Sequence, residues 1–79
     1  MSKSRPLVLK NRIKVLRAER NLSQTQLAIK AETTQNTISS IETGQYCPTA
    51  YNALRIAKAL GCTVEECFYF DIEDRKNEV

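Results

Sequence analysis

The stretch TTQNTISSIETG, Thr33 to Gly44, decides the fold. Its spacing is helical: Ile38 and Ile41 lie three apart on one face, and Gly44 follows as a stop signal. The opposite face holds Gln35, Asn36, Ser39, Ser40 and Thr43, none of them charged. An ordinary solvated face carries Glu and Lys, which are also better helix formers. A short helix that displays only amides and hydroxyls therefore needs a reason for its outer face.

The neighbouring sequence supplies a partner helix. SQTQ (Ser23 to Gln26) fits a capping box, a Ser with Gln three residues on, and opens QTQLAIKA, where Leu27, Ala28 and Ala31 recur at helical spacing. The small Ala28 and Ala31 let a neighbour approach closely, and Ile38 and Ile41 are placed to pack there. Thr34 is positioned to cap the second helix. Two short helices joined by so few residues form a helix-turn-helix, whose second helix projects and can enter a DNA major groove. The outer face then has a use. Gln and Asn can bond adenine N6 and N7 together, and hydroxyls serve base edges or phosphates.

Further out, RIKVLRAER reads as a first helix with Ile13 and Leu16 on one face, Asn11 as its N-cap and Asn21 closing it in the left-handed conformation. Thr49 caps AYNALRIAKAL, in which Ala50, Ala53, Leu54, Ala57 and Leu60 read as an apolar stripe ended by Gly61. TVEE (Thr63 to Glu66) is a second capping box and opens a short fifth helix. The predicted fold is therefore all-α with five helices. The ends read differently. Phe68, Phe70 and Ile72 alternate with polar or amphipathic residues, so Leu7–Leu9 and Phe68–Ile72 could pair as a short terminal β-ribbon. The other reading continues the fifth helix through Phe68 and Phe70 into the core.

The 79 residues make one domain, 42% apolar, a composition that suits a folded chain and argues against disorder. No apolar run is long enough for a membrane span and no signal-peptide pattern stands at the N-terminus, so a cytoplasmic protein is expected. Three cysteines, Cys47, Cys62 and Cys67, with no histidine and no Cys-x-x-Cys pair, imply no metal site. They read as reduced thiols, Cys47 being the one placed for redox sensitivity. Charge is uneven. Residues 1–60 hold ten Lys/Arg against three Asp/Glu, and residues 61–79 hold two against six, so +7 and −4 make the net +3. A basic body points to an anionic partner.

Residues 12–68 resemble the Cro/phage-repressor family, also called the xenobiotic-response-element family. The resemblance rests on LSQ before LA, on TISSIETG, and on ALRIAKALG followed by TVEE. It implies a compact lambda-repressor-like domain of five helices, with the second and third as the helix-turn-helix. It also implies that Gln35, Asn36 and Ser40 contact base edges. Gln24, Thr34, Thr37 and Ser39 would contact the DNA backbone. A Gln at a helix N-terminus suits an anion. Arg17 and Glu42 match positions that form a structural ion pair in relatives. Two departures stand out: Glu32 replaces a Gly common in the turn, and the usually basic loop after Gly44 reads Gln45, Tyr46, Cys47. Tyr46 is the phosphate donor available in that loop. Lys14, Lys30, Arg55 and Lys58 are the alternatives for neutralising phosphates.

The organisation expected is an N-terminal arm or strand (1–10), a DNA-binding domain (11–68) and an acidic segment (69–79) ending in a mobile tail. The partner expected is double-stranded DNA, bound by a homodimer formed through the fifth helix and Phe68, Phe70 and Ile72. No cofactor, small-molecule ligand, membrane or catalytic residue is implied. Without histidine, a Gly-rich phosphate loop or a paired-carboxylate pocket, an enzyme is disfavoured. An antitoxin-like module whose C-terminal segment grips another protein is the alternative.

Overall fold

Hydroxyl side chains start four of the five helices. In the computed structural model, which describes residues 7–72, Ser23, Thr34, Thr49 and Thr63 accept the backbone N–H three residues on, at 3.0–3.1 Å. These caps open α2 (Gln24–Ala31), α3 (Gln35–Glu42), α4 (Ala50–Leu60) and α5 (Val64–Cys67). At Ser23 and Thr63 the boxes are complete, because Gln26 and Glu66 reach back to the cap N–H groups at 2.8 Å. The remaining helix, α1 (Ile13–Glu19), starts without a side-chain cap at Arg12. Asn11, expected as that cap, belongs instead to a strand. Its Oδ1 still accepts the Ile13 N–H at 3.1 Å, while its Nδ2 donates to the Ile41 carbonyl at 3.0 Å. The extended backbone running to Asn11 delays the helix by one residue.

Helix ends are as local as the starts. Asn21, Glu32, Gly44 and Gly61 all have positive φ, between 56° and 84°. After each, the next N–H bonds back to a carbonyl five residues earlier: Leu22 to Arg17, Thr33 to Ala28, Gln45 to Ser40 and Cys62 to Ala57. This is the Schellman closure, which satisfies carbonyls the helix leaves open. Gly61→Ala tests its cost cleanly, since a Cβ there meets nothing within 4 Å. Only backbone strain remains, about 1 kcal/mol. Thermal unfolding should show Tm lower by roughly 4–8 °C in a domain of this size.

The core gathers one stripe from each helix: Ile13 and Leu16, Leu27 with Ala28 and Ala31, Ile38 and Ile41, Ile56 with Ala57 and Leu60, and Cys67 with Phe68. In α4 the stripe differs in phase from the sequence reading. Leu54 and Ala50 face solvent, and Ile56 is buried instead. Alanines on both sides of α4 made two phases look apolar, and the larger Ile56 takes the inner one.

The ends of the domain form the ribbon rather than an extended fifth helix. β1 (Leu7–Asn11) and β2 (Phe68–Ile72) pair antiparallel, Leu7 opposite Ile72 and Asn11 opposite Phe68. Opposite residues share a face, so Leu7, Leu9, Phe68, Phe70 and Ile72 lie together. Phe68, expected at a dimer surface, is 6% exposed and belongs to the chain's own core. The Arg12 N–H bonds to the Cys67 carbonyl at 2.8 Å, fixing the ribbon to the start of α1. The N-terminal arm before Leu7 and the mobile tail expected over 73–79 lie outside the described residues. Among the described residues no helix is long and apolar enough to cross a membrane.

Burial decides the thiol chemistry. Cys67 is fully buried, and desolvation, reinforced by its neighbour Cys62, pushes its thiol from an ordinary 9.0 up to about 12. Cys47 is exposed. Brief alkylation of the native protein should therefore modify Cys47 and spare Cys67 until denaturant is added, as read by mass spectrometry. The linkage has a definite sign. Below about pH 9 the thiol is protonated in both states; above it the unfolded chain loses the proton while the folded one keeps it. Stability should fall as pH rises past 9.

Candidate nucleic-acid interface

The outer side of α3 is built from its inner side. Ile38 and Ile41 are buried against the core, which turns Gln35 and Asn36 out into solvent and leaves Thr37, Ser39 and Ser40 half-buried along the flanks. The first turn is braced by hydroxyls. Thr34 Oγ1 accepts the Thr37 N–H and lies 2.9 Å from Thr37 Oγ1. At the far end, Thr43 turns its hydroxyl onto the Ser39 and Ser40 carbonyls at 3.1 and 3.2 Å, so it closes the helix. Asn36, Thr37, Ser40 and Tyr46 line one open, shallow depression. Tyr46 is brought there by its N–H, which bonds the Ser40 carbonyl at 3.1 Å.

Beneath this face lies a charged anchor. Arg17 of α1 donates from Nε to Glu42 Oε2 at 2.7 Å and from a terminal nitrogen to Oε1 at 3.2 Å. Its other terminal nitrogen donates to the Leu22 carbonyl at 2.9 Å. The two side chains are only 14% and 7% exposed. This fork ties α3 to α1 and to the turn before α2. Gln24, at the start of α2, donates from Nε2 to Glu42 Oε1 at 3.0 Å, and its own Oε1 accepts from Gln35 Nε2 at 2.7 Å. The expected backbone contact, the expected ion pair and an expected base reader thus share one hydrogen-bonded chain. The sequence reading missed these links, since Gln24 and Gln35 are eleven residues apart. The available signal was two amides standing at the first positions of consecutive helices.

The basic residues divide. Arg55 is committed internally: it bonds the Ala31 carbonyl at 2.9 Å and Tyr51 Oη at 2.9 Å, pairs with Glu32, and lies over the Tyr51 ring. That arrangement places a cation at the end of α2 beside the left-handed Glu32. Lys14, Lys30 and Lys58 are exposed. No cluster of three or more His, Cys, Asp or Glu able to hold a metal occurs among the described residues.

Comparison with known proteins agrees with this geometry. The helix-turn-helix family model matches residues 13–67. An uncharacterized HTH-type transcriptional regulator of Methanocaldococcus jannaschii is 38% identical over 66 residues, 84% of this chain and 100% of that one. The uncharacterized HTH-type regulator YgzD of Bacillus subtilis is 36% identical with the same coverage. Among solved structures, the restriction-modification controller protein C.AhdI of Aeromonas hydrophila superimposes with a TM-score of 0.66 at 30% identity, over 68% of this chain and 78% of that one. These carry regulator or controller names, in keeping with the non-enzymatic reading of the sequence. With five helices, the α2–turn–α3 unit and a family match over most of its length, the chain belongs to the Cro/phage-repressor helix-turn-helix family.

Proposed function

We propose that this chain is a cytoplasmic, sequence-specific double-stranded DNA-binding regulator of transcription, a repressor that binds a palindromic operator as a homodimer with α3 in the major groove. The observation that carries the reading is the outer face of α3. Gln35 and Asn36 are exposed on a helix anchored from beneath by Ile38, Ile41 and the Arg17–Glu42 pair. Ser40 flanks the base-reading amides, while Gln24, Thr34, Thr37, Ser39 and Tyr46 border them as backbone contacts. The regulator names of the relatives and the controller role of C.AhdI support it. A dimer would set its two α3 helices about 34–36 Å apart, one turn of DNA, hence the palindrome.

Selection from random duplexes, then titration of the winner at several salt concentrations, tests this. A palindrome should emerge, and affinity should fall with salt as phosphate-bound counterions return. Gln35→Ala should lose about 1–3 kcal/mol on the selected site and little on random DNA. No enriched sequence and an unaffected variant would overturn the reading.

One observation favours a second reading. Leu7, Phe70 and Ile72 share a face of the ribbon and are 62%, 68% and 54% exposed. With Phe68 withdrawn into the core, Phe70 and Ile72 are the residues left for the expected homodimer or for another protein gripped by the C-terminal segment. Light scattering of the purified chain separates the two: a dimer lost in Phe70→Asp supports self-association, and a monomer favours the antitoxin-like module.

A further inference from the structure

We infer that Glu42 is a positioning residue for base choice: its carboxylate sets the direction of hydrogen bonding through Gln24, and so the donor–acceptor order that Gln35 offers to a base. The inference rests on the proposal that Gln35 reads bases. A side-chain amide has nearly the same shape either way round, so an isolated exposed Gln is free to turn its oxygen or its NH2 to a partner. Here the ambiguity is removed from below. Both Glu42 oxygens accept from Arg17, at 2.7 and 3.2 Å, and a carboxylate so engaged offers only acceptors. Gln24 must therefore turn its NH2 toward Glu42 Oε1, at 3.0 Å. Its oxygen then points away from Glu42 and accepts, at 2.7 Å, from the NH2 of Gln35. One N–H of Gln35 is used, and its oxygen and second N–H remain. That pair, one acceptor beside one donor, matches the adenine edge, N6–H with N7.

Reversing the first member should reverse the rest. In Glu42→Gln, keeping an oxygen at the short Arg17 Nε contact puts the NH2 where Oε1 stood, facing Gln24 and giving up the longer 3.2 Å contact from the Arg17 terminal nitrogen. Gln24 would turn over, present its own NH2 to Gln35, and occupy the Gln35 oxygen. Gln35 would then offer donors outward, which suit the two acceptors of guanine, O6 and N7. A purely structural ion pair makes no such prediction. Its loss lowers the folded fraction or loosens α3, and neither turns the preference toward guanine.

The test measures relative preference among the four bases at the position where Gln35→Ala loses discrimination, by competition on otherwise identical duplexes. Because preference is a ratio within one protein sample, a smaller folded fraction cancels. Glu42→Gln is expected to lower the adenine preference roughly tenfold, toward the low end of what one amide–adenine pair supplies, with guanine gaining. Gln24→Ala, which leaves the Arg17–Glu42 pair intact, should lower it similarly without the gain for guanine. In the Gln24→Ala background, Glu42→Gln should change preference no further. NMR of the free protein gives an independent reading. The Gln35 side-chain amide resonances should move in Glu42→Gln and stay fixed when the same change is made in Gln24→Ala. If Gln35→Ala discriminates as before, the base-reading proposal fails and this inference with it. If Gln35→Ala loses discrimination while Glu42→Gln keeps the adenine preference, or the amide resonances do not move, Glu42 is structural only.

Discussion

Arg17→Met is expected to cost about 3–5 kcal/mol, because it leaves the Glu42 carboxylate buried without its cation. The side chains of the pair are 14% and 7% exposed, so solvent screens it little, and Glu42 loses both arms of the fork at 2.7 and 3.2 Å. The Leu22 carbonyl loses its guanidinium partner as well. Gln24 remains as a donor to Glu42 and keeps the loss nearer the lower bound. Urea unfolding followed by circular dichroism measures it. A chain of 79 residues has only about 4–12 kcal/mol of stability in total. The midpoint should accordingly fall by a large fraction. The double variant Arg17→Met with Glu42→Leu should regain most of the loss, since an apolar pair of similar volume avoids the desolvation of both charges. A single-variant loss under 1 kcal/mol would mean that water reaches Glu42 freely.

Ile38→Ala should cost about 2–5 kcal/mol, the lost burial plus the cavity it leaves. Ile38 is fully buried and belongs to the only stripe through which α3 meets the core. The functional consequence should exceed that of a comparable core truncation elsewhere. With Ile41 alone inside, the amide face is held less rigidly against α2, and a misplacement there should weaken the proposed base contacts directly. Comparison with Ile56→Ala, equally buried in α4, separates the two effects. Both should lower the unfolding midpoint by similar amounts, while Ile38→Ala should also reduce the preference of the folded fraction for its selected DNA site over random duplex. Equal losses of preference in both variants would place the defect in stability alone.

The features legible in the sequence are those whose causes are local. Ser23 with Gln26 and Thr63 with Glu66 announce capping boxes within four residues, and both form. Gly61 and Gly44 announce helix ends, and Asn21 adopts the left-handed conformation expected of it. Ile13, Leu16, Leu27, Ile38 and Ile41 face inward because each spacing has one apolar solution. Where two solutions competed, the tertiary structure decided. α4 offers alanines on either side, and its phase is set by fitting Ile56 rather than Leu54 beside α2 and α5. Asn11 looked like a cap because a helix follows it, yet its backbone is held extended by pairing with Phe68, fifty-seven residues away. The individual polar groups of the interface were readable one by one as residue types. Their connection through Glu42, Gln24 and Gln35 was not, since hydrogen-bond direction between α2 and α3 leaves no local pattern.

Pairing Leu7 with Ile72 has a consequence for the order in which the chain is made. The four caps of α2–α5 and the Schellman closures of α1–α4 need only residues close to them in sequence, so they can form as the polypeptide emerges. β1 cannot. It is synthesised first among the described elements and must wait 65 residues, from position 7 to position 72, for its partner. At typical synthesis rates that is on the order of 3–13 s with an apolar strand and its N–H groups unmatched. The ribbon is therefore the closing step of biogenesis, a clasp that can fasten only after the helices between its strands are complete, and a chain interrupted before Phe68 would carry an open edge available to other nascent strands.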